Sequence, residues 1–200
     1  MNFLKLCFFI NLLIFNYNVS AGTITNTGLP GGLQVNYFEP IGQSFTAIDA
    51  NVEAGLDFWV QNPQSSNNNP LRYSLYEGEG IAGSVLALST FSLADDFSGL
   101  HMVDFSFIDL TIGGLYTLMV EVVGDSAYWG LHTGTALAGG VEFRTFNGTT
   151  SKKSSEDLHI NVTGVSPPPS AVPIPAAAFM FAPAVLGFLG LRRKAKNSVA

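Results

Sequence analysis

Four aromatic side chains in the middle of the chain could stack on a sugar ring. They are Trp59, Tyr76, Tyr128 and Trp129. An aromatic face packs well on the C–H surface of a pyranose, while the alternative role of such rings is to fill a core. Trp59 and Tyr76 occupy the strand phase opposite the aliphatic residues beside them, which predicts that both point away from the core.

Four carboxylates close together in sequence could bind a cation. They are Asp95, Asp96, Asp104 and Asp109. Calcium takes several oxygen ligands, and an acidic turn with its backbone carbonyls could supply them, so a structural Ca²⁺ site is one prediction. A solvated acidic turn is the alternative. A glycosidase would need two carboxylates at a defined separation, which only a structure can give.

Other motifs that suggest chemistry have simpler explanations. Gly78–Gly83 matches GxGxxG, but Ser84–Thr90 after it is typical of a strand rather than the helix that a dinucleotide site needs, so we predict a glycine-rich hairpin. Gly124-Asp125-Ser126 resembles an esterase nucleophile block, but no helix pattern accompanies it and GxSxG does not occur. The three histidines form no HxH or HxxxH pair.

The central region, residues 22–165, has a one-domain length and is strongly acidic. All fifteen acidic residues lie between Glu39 and Asp157, and only four basic residues lie in the same region, for a formal charge of −11. This charge repels phosphate, so nucleic acid is not an expected partner. The one cysteine, Cys7, precedes this region, so Cys-based catalysis or zinc binding is excluded there.

Period-two alternation predicts strands through most of this region. Apolar residues alternate with polar ones around Leu56, Leu71, Val103–Phe107 and Leu158, and glycine, proline and asparagine clusters separate the runs. Ser84–Leu93 and Leu115–Val123 are more uniformly apolar, as central strands tend to be. We therefore predict an all-β fold, an antiparallel β-sandwich of jelly-roll type.

The N-terminus has the pattern of a secretory signal peptide. Lys5 is followed by the apolar stretch Leu6–Phe15, and then by Val19-Ser20-Ala21, with small residues at the positions that precede a cleavage site. We expect cleavage after Ala21 and export through the Sec machinery.

The C-terminus has an apolar run followed by positive charge. A Pro-rich stalk (166–171) leads to Val172-Pro173-Ile174-Pro175, and a helix over about 175–191 would reach about 26 Å, close to the minimum for a bilayer. Arg192, Arg193, Lys194 and Lys196 follow and would hold that end in the cytoplasm. The sequence predicts a single transmembrane helix, either a sorting signal or a permanent anchor.

The order of motif, apolar helix and basic end resembles the PEP-CTERM sorting signal of Gram-negative bacteria, in its VPLPA-type variant. The resemblance covers the last thirty or so residues (172–200), and Ile174 stands where that family usually has Glu. It implies recognition by an exosortase-like membrane enzyme, passage through the inner membrane, and delivery to the cell surface or an exopolysaccharide matrix.

The central region has a looser resemblance to the jelly-roll domains called choice-of-anchor domains. It rests on Gly42–Ala47, Leu75–Gly78, Gly83–Ala87 and Leu110–Leu118. This resemblance implies the fold and little about a ligand. Together the features predict an exported, non-enzymatic surface or matrix protein, associated with exopolysaccharide and needing no cofactor beyond the Ca²⁺ considered above. The alternatives are a secreted carbohydrate-active enzyme and a permanently anchored envelope protein.

Overall fold

The computed structural model describes residues 22–61, 70–124, 129–153 and 156–165. The predicted signal peptide (1–21), Tyr128, and the C-terminal region (166–200) with its stalk, sorting motif, apolar helix and basic cluster lie outside these ranges. Within the ranges, no helix combines the length and the apolar character needed to cross a membrane.

The described chain forms thirteen strands and one short 3-10 helix, Val35–Tyr37. The strands are β1 (Thr23–Thr25), β2 (Gly28–Gln34), β3 (Ile41–Thr46), β4 (Val52–Val60), β5 (Leu71–Glu77), β6 (Val85–Phe91), β7 (Gly99–Asp104), β8 (Leu115–Val122), β9 (Trp129–Gly134), β10 (Glu142–Phe146), β11 (Thr149–Lys153), β12 (Asp157–Leu158) and β13 (Ile160–Gly164).

These strands make two sheets in which every pair is antiparallel. Sheet A has the order β1-β13-β4-β9-β12, with β2 added beside β9 and β7 beside β4. Sheet B has the order β11-β10-β3-β8-β5-β6. Successive strands alternate between the two sheets from β3 to β5 and again from β7 to β10. Most connections therefore pass from one sheet to the other.

The two sheets bury one shared hydrophobic core. Leu56 and Phe58 of sheet A and Tyr73 and Leu118 of sheet B have no exposed surface and belong to the same packed cluster. The predicted all-β fold with two antiparallel sheets is therefore confirmed, and the period-two pattern correctly identified the inward face of β4, β5 and β13.

Two predictions about individual strands are wrong. Val103–Phe107 is not one strand, because Ser106 N–H binds Oδ1 of Asp104 and turns the chain, which leaves Phe107 72% exposed. The apolar segment Ser84–Leu93 contains β6, which is an edge strand of sheet B rather than a central one. By contrast, β8 lies between β3 and β5, as its apolar sequence predicts.

The hairpins follow their turn residues. Asn147 and Gly148 both have positive φ, 49° and 74°, the conformation that a two-residue turn between antiparallel strands requires, and they join β10 to β11. The GxGxxG segment joins β5 to β6, so the predicted glycine-rich hairpin is confirmed.

Candidate functional site

A cleft of about 460 Å³ lies where the end of β4 meets the loop between β6 and β7. Its walls are Trp59 and Val60 from the strand and Asp95–Ser98 from the loop. Because β6 belongs to sheet B and β7 to sheet A, this loop crosses from one sheet to the other. That crossing brings two exposed carboxylates, Asp95 and Asp96, beside a tryptophan that is distant in sequence.

Trp59 lies on the outer face of sheet A, as its strand phase predicts. Its neighbour Phe58 is fully buried in the core, and Trp59 itself is half-buried. The indole rests against the backbone of Gly32 and Gly130, where a Cβ atom at either position would collide with the ring. On the same face, the ring of His132 lies 6.1 Å from the indole, centroid to centroid. The glycines thus leave the space in which the indole packs on the sheet.

The cleft combines two properties that suit a sugar. The indole provides an aromatic surface for C–H groups, and the carboxylates of Asp95 and Asp96 accept hydrogen bonds from hydroxyl groups. Phe97 adds a second partly buried ring to the lining. Clefts that are mainly apolar, with a few polar groups that orient the ligand, are the usual form of small-ligand sites.

Two of the other predicted aromatic residues, Tyr76 and Trp129, do not join this cleft. Tyr76 lies on the outer face of sheet B, paired with Thr117, and therefore on the opposite side of the sandwich from Trp59. The prediction is corrected for Trp129, whose ring has no exposed surface and packs edge-on against Phe58 at 6.4 Å. Trp129 lies two residues from the buried Leu131, so both side chains are on the same face of β9 and point into the core.

The four predicted calcium ligands do not form one group. Asp95 and Asp96 line the cleft, Asp104 accepts the turn hydrogen bond from Ser106, and Oδ1 of Asp109 lies 3.2 Å from Nδ2 of Asn51. The bonds from Ser106 lower the pKa of Asp104. Within the described ranges, no set of three or more acidic, histidine or cysteine side chains is arranged to hold a metal ion.

A buried polar cluster links the two sheets, and the sequence pattern did not reveal it. Gln43 of β3 donates from Nε2 to Oδ1 of Asp157 at 2.8 Å, and its Oε1 accepts from the backbone N–H of Leu158. The second oxygen of Asp157 accepts from Leu137 N–H at 2.6 Å. Every carboxylate oxygen of Asp157 has a partner, which indicates a structural role.

Beside this cluster, Glu142 is fully buried and binds Arg144, which also binds Glu156. Burial raises the pKa of Glu142, against the opposing effect of Arg144. Burial lowers the pKa of Arg144, but its bonds to the two glutamates outweigh that effect, so the pKa is raised. A raised carboxyl pKa is typical of a general acid, but Glu142 has no exposed surface through which a substrate could reach it.

A histidine and a carboxylate that the sequence pattern did not predict to interact, His159 and Asp57, lie on the outer face of sheet A. Nδ1 of His159 lies 2.7 Å from Oδ2 of Asp57, where β4, β9 and the β12–β13 segment meet. Oδ1 of Asp57 is buried without a hydrogen-bond partner. His132 and His159 are thus held against the outer face of sheet A by these contacts.

Most of the positive charge of the domain is already paired. Arg72 binds Glu121 at 2.7 Å, Arg144 binds two glutamates, and Lys152 binds Glu79. Three of the four basic residues between Gly22 and Val165 therefore offer little net charge to an anionic partner.

Comparison with protein-family models gives no match, and no curated protein matches the sequence significantly. The fold and the cleft are therefore the basis for a functional proposal.

Proposed function

We propose that this chain is an exported, non-enzymatic β-sandwich protein of the cell surface or extracellular matrix that binds carbohydrate in the Trp59 cleft. The observation that carries the proposal is the joining of Trp59 with Asp95 and Asp96 in one cleft of about 460 Å³. An aromatic surface beside hydroxyl-binding carboxylates suits a pyranose and does not suit a phosphate or another polyanion.

The ligand class follows from charge. The domain is acidic, its basic residues are mostly paired, and the described residues that line the cleft include two carboxylates and no basic side chain. We therefore favour a neutral or amine-bearing polysaccharide over one rich in uronic acids.

Export and sorting rest on the sequence. The signal-peptide pattern of 1–21 and the PEP-CTERM-like order of 172–200 support transit through the inner membrane and processing by an exosortase-like enzyme. The alternation of successive strands between two sheets supports the proposal that the sandwich is of jelly-roll type.

Binding is tested with Trp59→Ala, measured by isothermal titration with soluble exopolysaccharide from the native cell. We expect a loss of affinity of about twofold to tenfold, since an aromatic contact contributes about 0.5–1.5 kcal/mol beyond its buried area. Tyr76→Ala is the matched control, because that ring lies on the opposite face of the sandwich. Equal losses from both variants, or none from Trp59→Ala, would contradict a site in the cleft.

Sorting is tested by the intact mass of the protein recovered from its native cell. Removal of residues 1–21 and of the segment beyond about Pro175 is the expected result. A mature protein that retains 175–200 would instead indicate a permanent anchor.

The secreted carbohydrate-active enzyme remains the alternative, and the two cleft carboxylates are the observation that favours it. Asp95→Asn and Asp96→Asn separate the two functions. Release of reducing ends by the native protein, abolished by either variant with binding intact, would establish catalysis.

A further inference from the structure

A second aromatic surface lies where the 3-10 helix meets the β10–β11 hairpin. The rings of Tyr37 and Phe146 lie 5.2 Å apart, centroid to centroid, with 42° between their planes. Phe38 packs edge-on against Tyr37 at 4.7 Å and lies 6.4 Å from Phe146. We call Tyr37 and Phe146 the aromatic platform.

The two rings of the platform are exposed to solvent, while the side chains beneath them are packed and paired. Tyr37 is 56% exposed and Phe146 46% exposed, so each ring packs on one side and faces solvent on the other. Below them, Phe38 is partly buried against the core, and the guanidinium of Arg144 lies 5.3 Å from the Phe38 ring. Arg144 is itself held by two glutamates, so the rings project from a well-connected base.

The size of the platform favours a small flat ligand over a protein. An aromatic side chain has about 150–250 Å² of surface, so the exposed fractions of these two residues correspond to about 200 Å² of accessible surface in total. A stable protein interface needs about 800 Å² from each partner, about four times as much. One or two sugar rings match the available surface.

We infer that the Tyr37–Phe146 platform is a second carbohydrate-binding site, which stacks on the pyranose rings of an extended polysaccharide. The ligand class rests on the proposed function, but the residues belong to different elements from those of the Trp59 cleft. One polysaccharide chain that reached both sites would be held by avidity, and a chain that reached only one would bind more weakly.

The stacking is tested by titrating the full-length wild-type protein with cellohexaose and with chitohexaose. Tyr37→Ala and Phe146→Ala should each weaken binding at least threefold. Tyr37→Leu and Phe146→Leu keep an apolar side chain but remove the aromatic face, and should be as weak as the alanine variants. Phe107→Ala is the matched control, because Phe107 is 72% exposed and outside the platform, and it should leave affinity unchanged.

The outcomes separate the two sites. Loss of binding in Trp59→Ala with no effect of the platform variants would overturn this inference and leave the proposed function standing. The reverse result would overturn the cleft and support the platform. No binding of either oligosaccharide by the wild type, or full binding by the leucine variants, would overturn the inference. A dimer that forms with rising protein concentration, is abolished by the alanine variants and is retained by the leucine variants would identify the platform as a protein interface. That result would also overturn the inference.

Discussion

The hydroxyl of Tyr73, in sheet B, accepts a hydrogen bond from the backbone N–H of Leu56, in sheet A, at 2.9 Å. The same hydroxyl donates to the carbonyl of His101 on the neighbouring strand β7 at 3.2 Å. Tyr73 therefore reaches across the core and satisfies two backbone groups of the opposite sheet. Burial raises the pKa of this hydroxyl far above its ordinary value, so it stays protonated at any physiological pH.

Tyr73→Phe should lower the free energy of unfolding by about 1–3 kcal/mol, because it leaves a buried N–H and a partly buried C=O without their partner. Urea unfolding followed by tryptophan fluorescence measures the change. Tyr37→Phe removes a hydroxyl from a ring that is more than half exposed, and should alter stability by no more than about 0.5 kcal/mol. Equal effects of the two variants would show that the hydrogen bonds of the Tyr73 hydroxyl contribute nothing to stability.

Gly130→Ala should destabilise the domain by about 1–3 kcal/mol, because the added methyl group collides with the indole of Trp59. The test is a double-mutant cycle with Trp59→Ala. Removal of the indole removes the collision, so Gly130→Ala should cost less in that background, with a coupling of about 0.5–3 kcal/mol. Strict additivity would mean that the ring does not rest on Gly130.

Asp157→Asn should cost about 1–3 kcal/mol of stability. Both oxygens of Asp157 accept hydrogen bonds, one from Gln43 and one from Leu137. An asparagine has one oxygen, so in either orientation its amide nitrogen faces another donor. Thermal unfolding measures the loss, and Asp95→Asn in the exposed cleft wall is the control, expected within about 0.5 kcal/mol of wild type. Wild-type stability in Asp157→Asn would refute the acceptor role of both oxygens.

The free energy of unfolding should fall as the pH drops below 6.5, in part because of His101. Its ring stacks on Phe91 at 4.0 Å, and burial lowers its pKa from 6.5. The unfolded state therefore binds the proton more readily in the window just below pH 6.5, and acid favours unfolding there.

His101→Phe removes this titration and should flatten the slope of stability against pH just below pH 6.5. Urea unfolding at a series of pH values measures the slope. His132→Phe, at the histidine beside Trp59, is the control for the histidine-to-phenylalanine substitution itself. An unchanged slope in His101→Phe would show that His101 titrates alike in both states.

Much of the fold could be predicted from local patterns. Period-two alternation identified the buried face of β4, β5 and β13, and the GxGxxG segment was correctly predicted as a hairpin because a strand pattern follows it. The pattern failed at Phe107 because the strand ends at Asp104, whose carboxylate accepts a hydrogen bond from the backbone N–H of Ser106 and turns the chain. It also failed for β6, since an apolar sequence does not distinguish a central strand from an edge strand whose other side is open.

The candidate site, like the fold, could be predicted only in part from local patterns. The strand pattern alone predicts that Trp59 and Tyr76 face outward, because side chains of a strand alternate between its two faces. The folded arrangement was needed to show that the two rings lie on opposite sheets, that Asp95 and Asp96 lie beside Trp59, and that Phe146 meets Tyr37. Alternation is a local property of the chain, whereas the choice of partner strand depends on contacts between distant segments, and a period of two carries no information about which segments will meet.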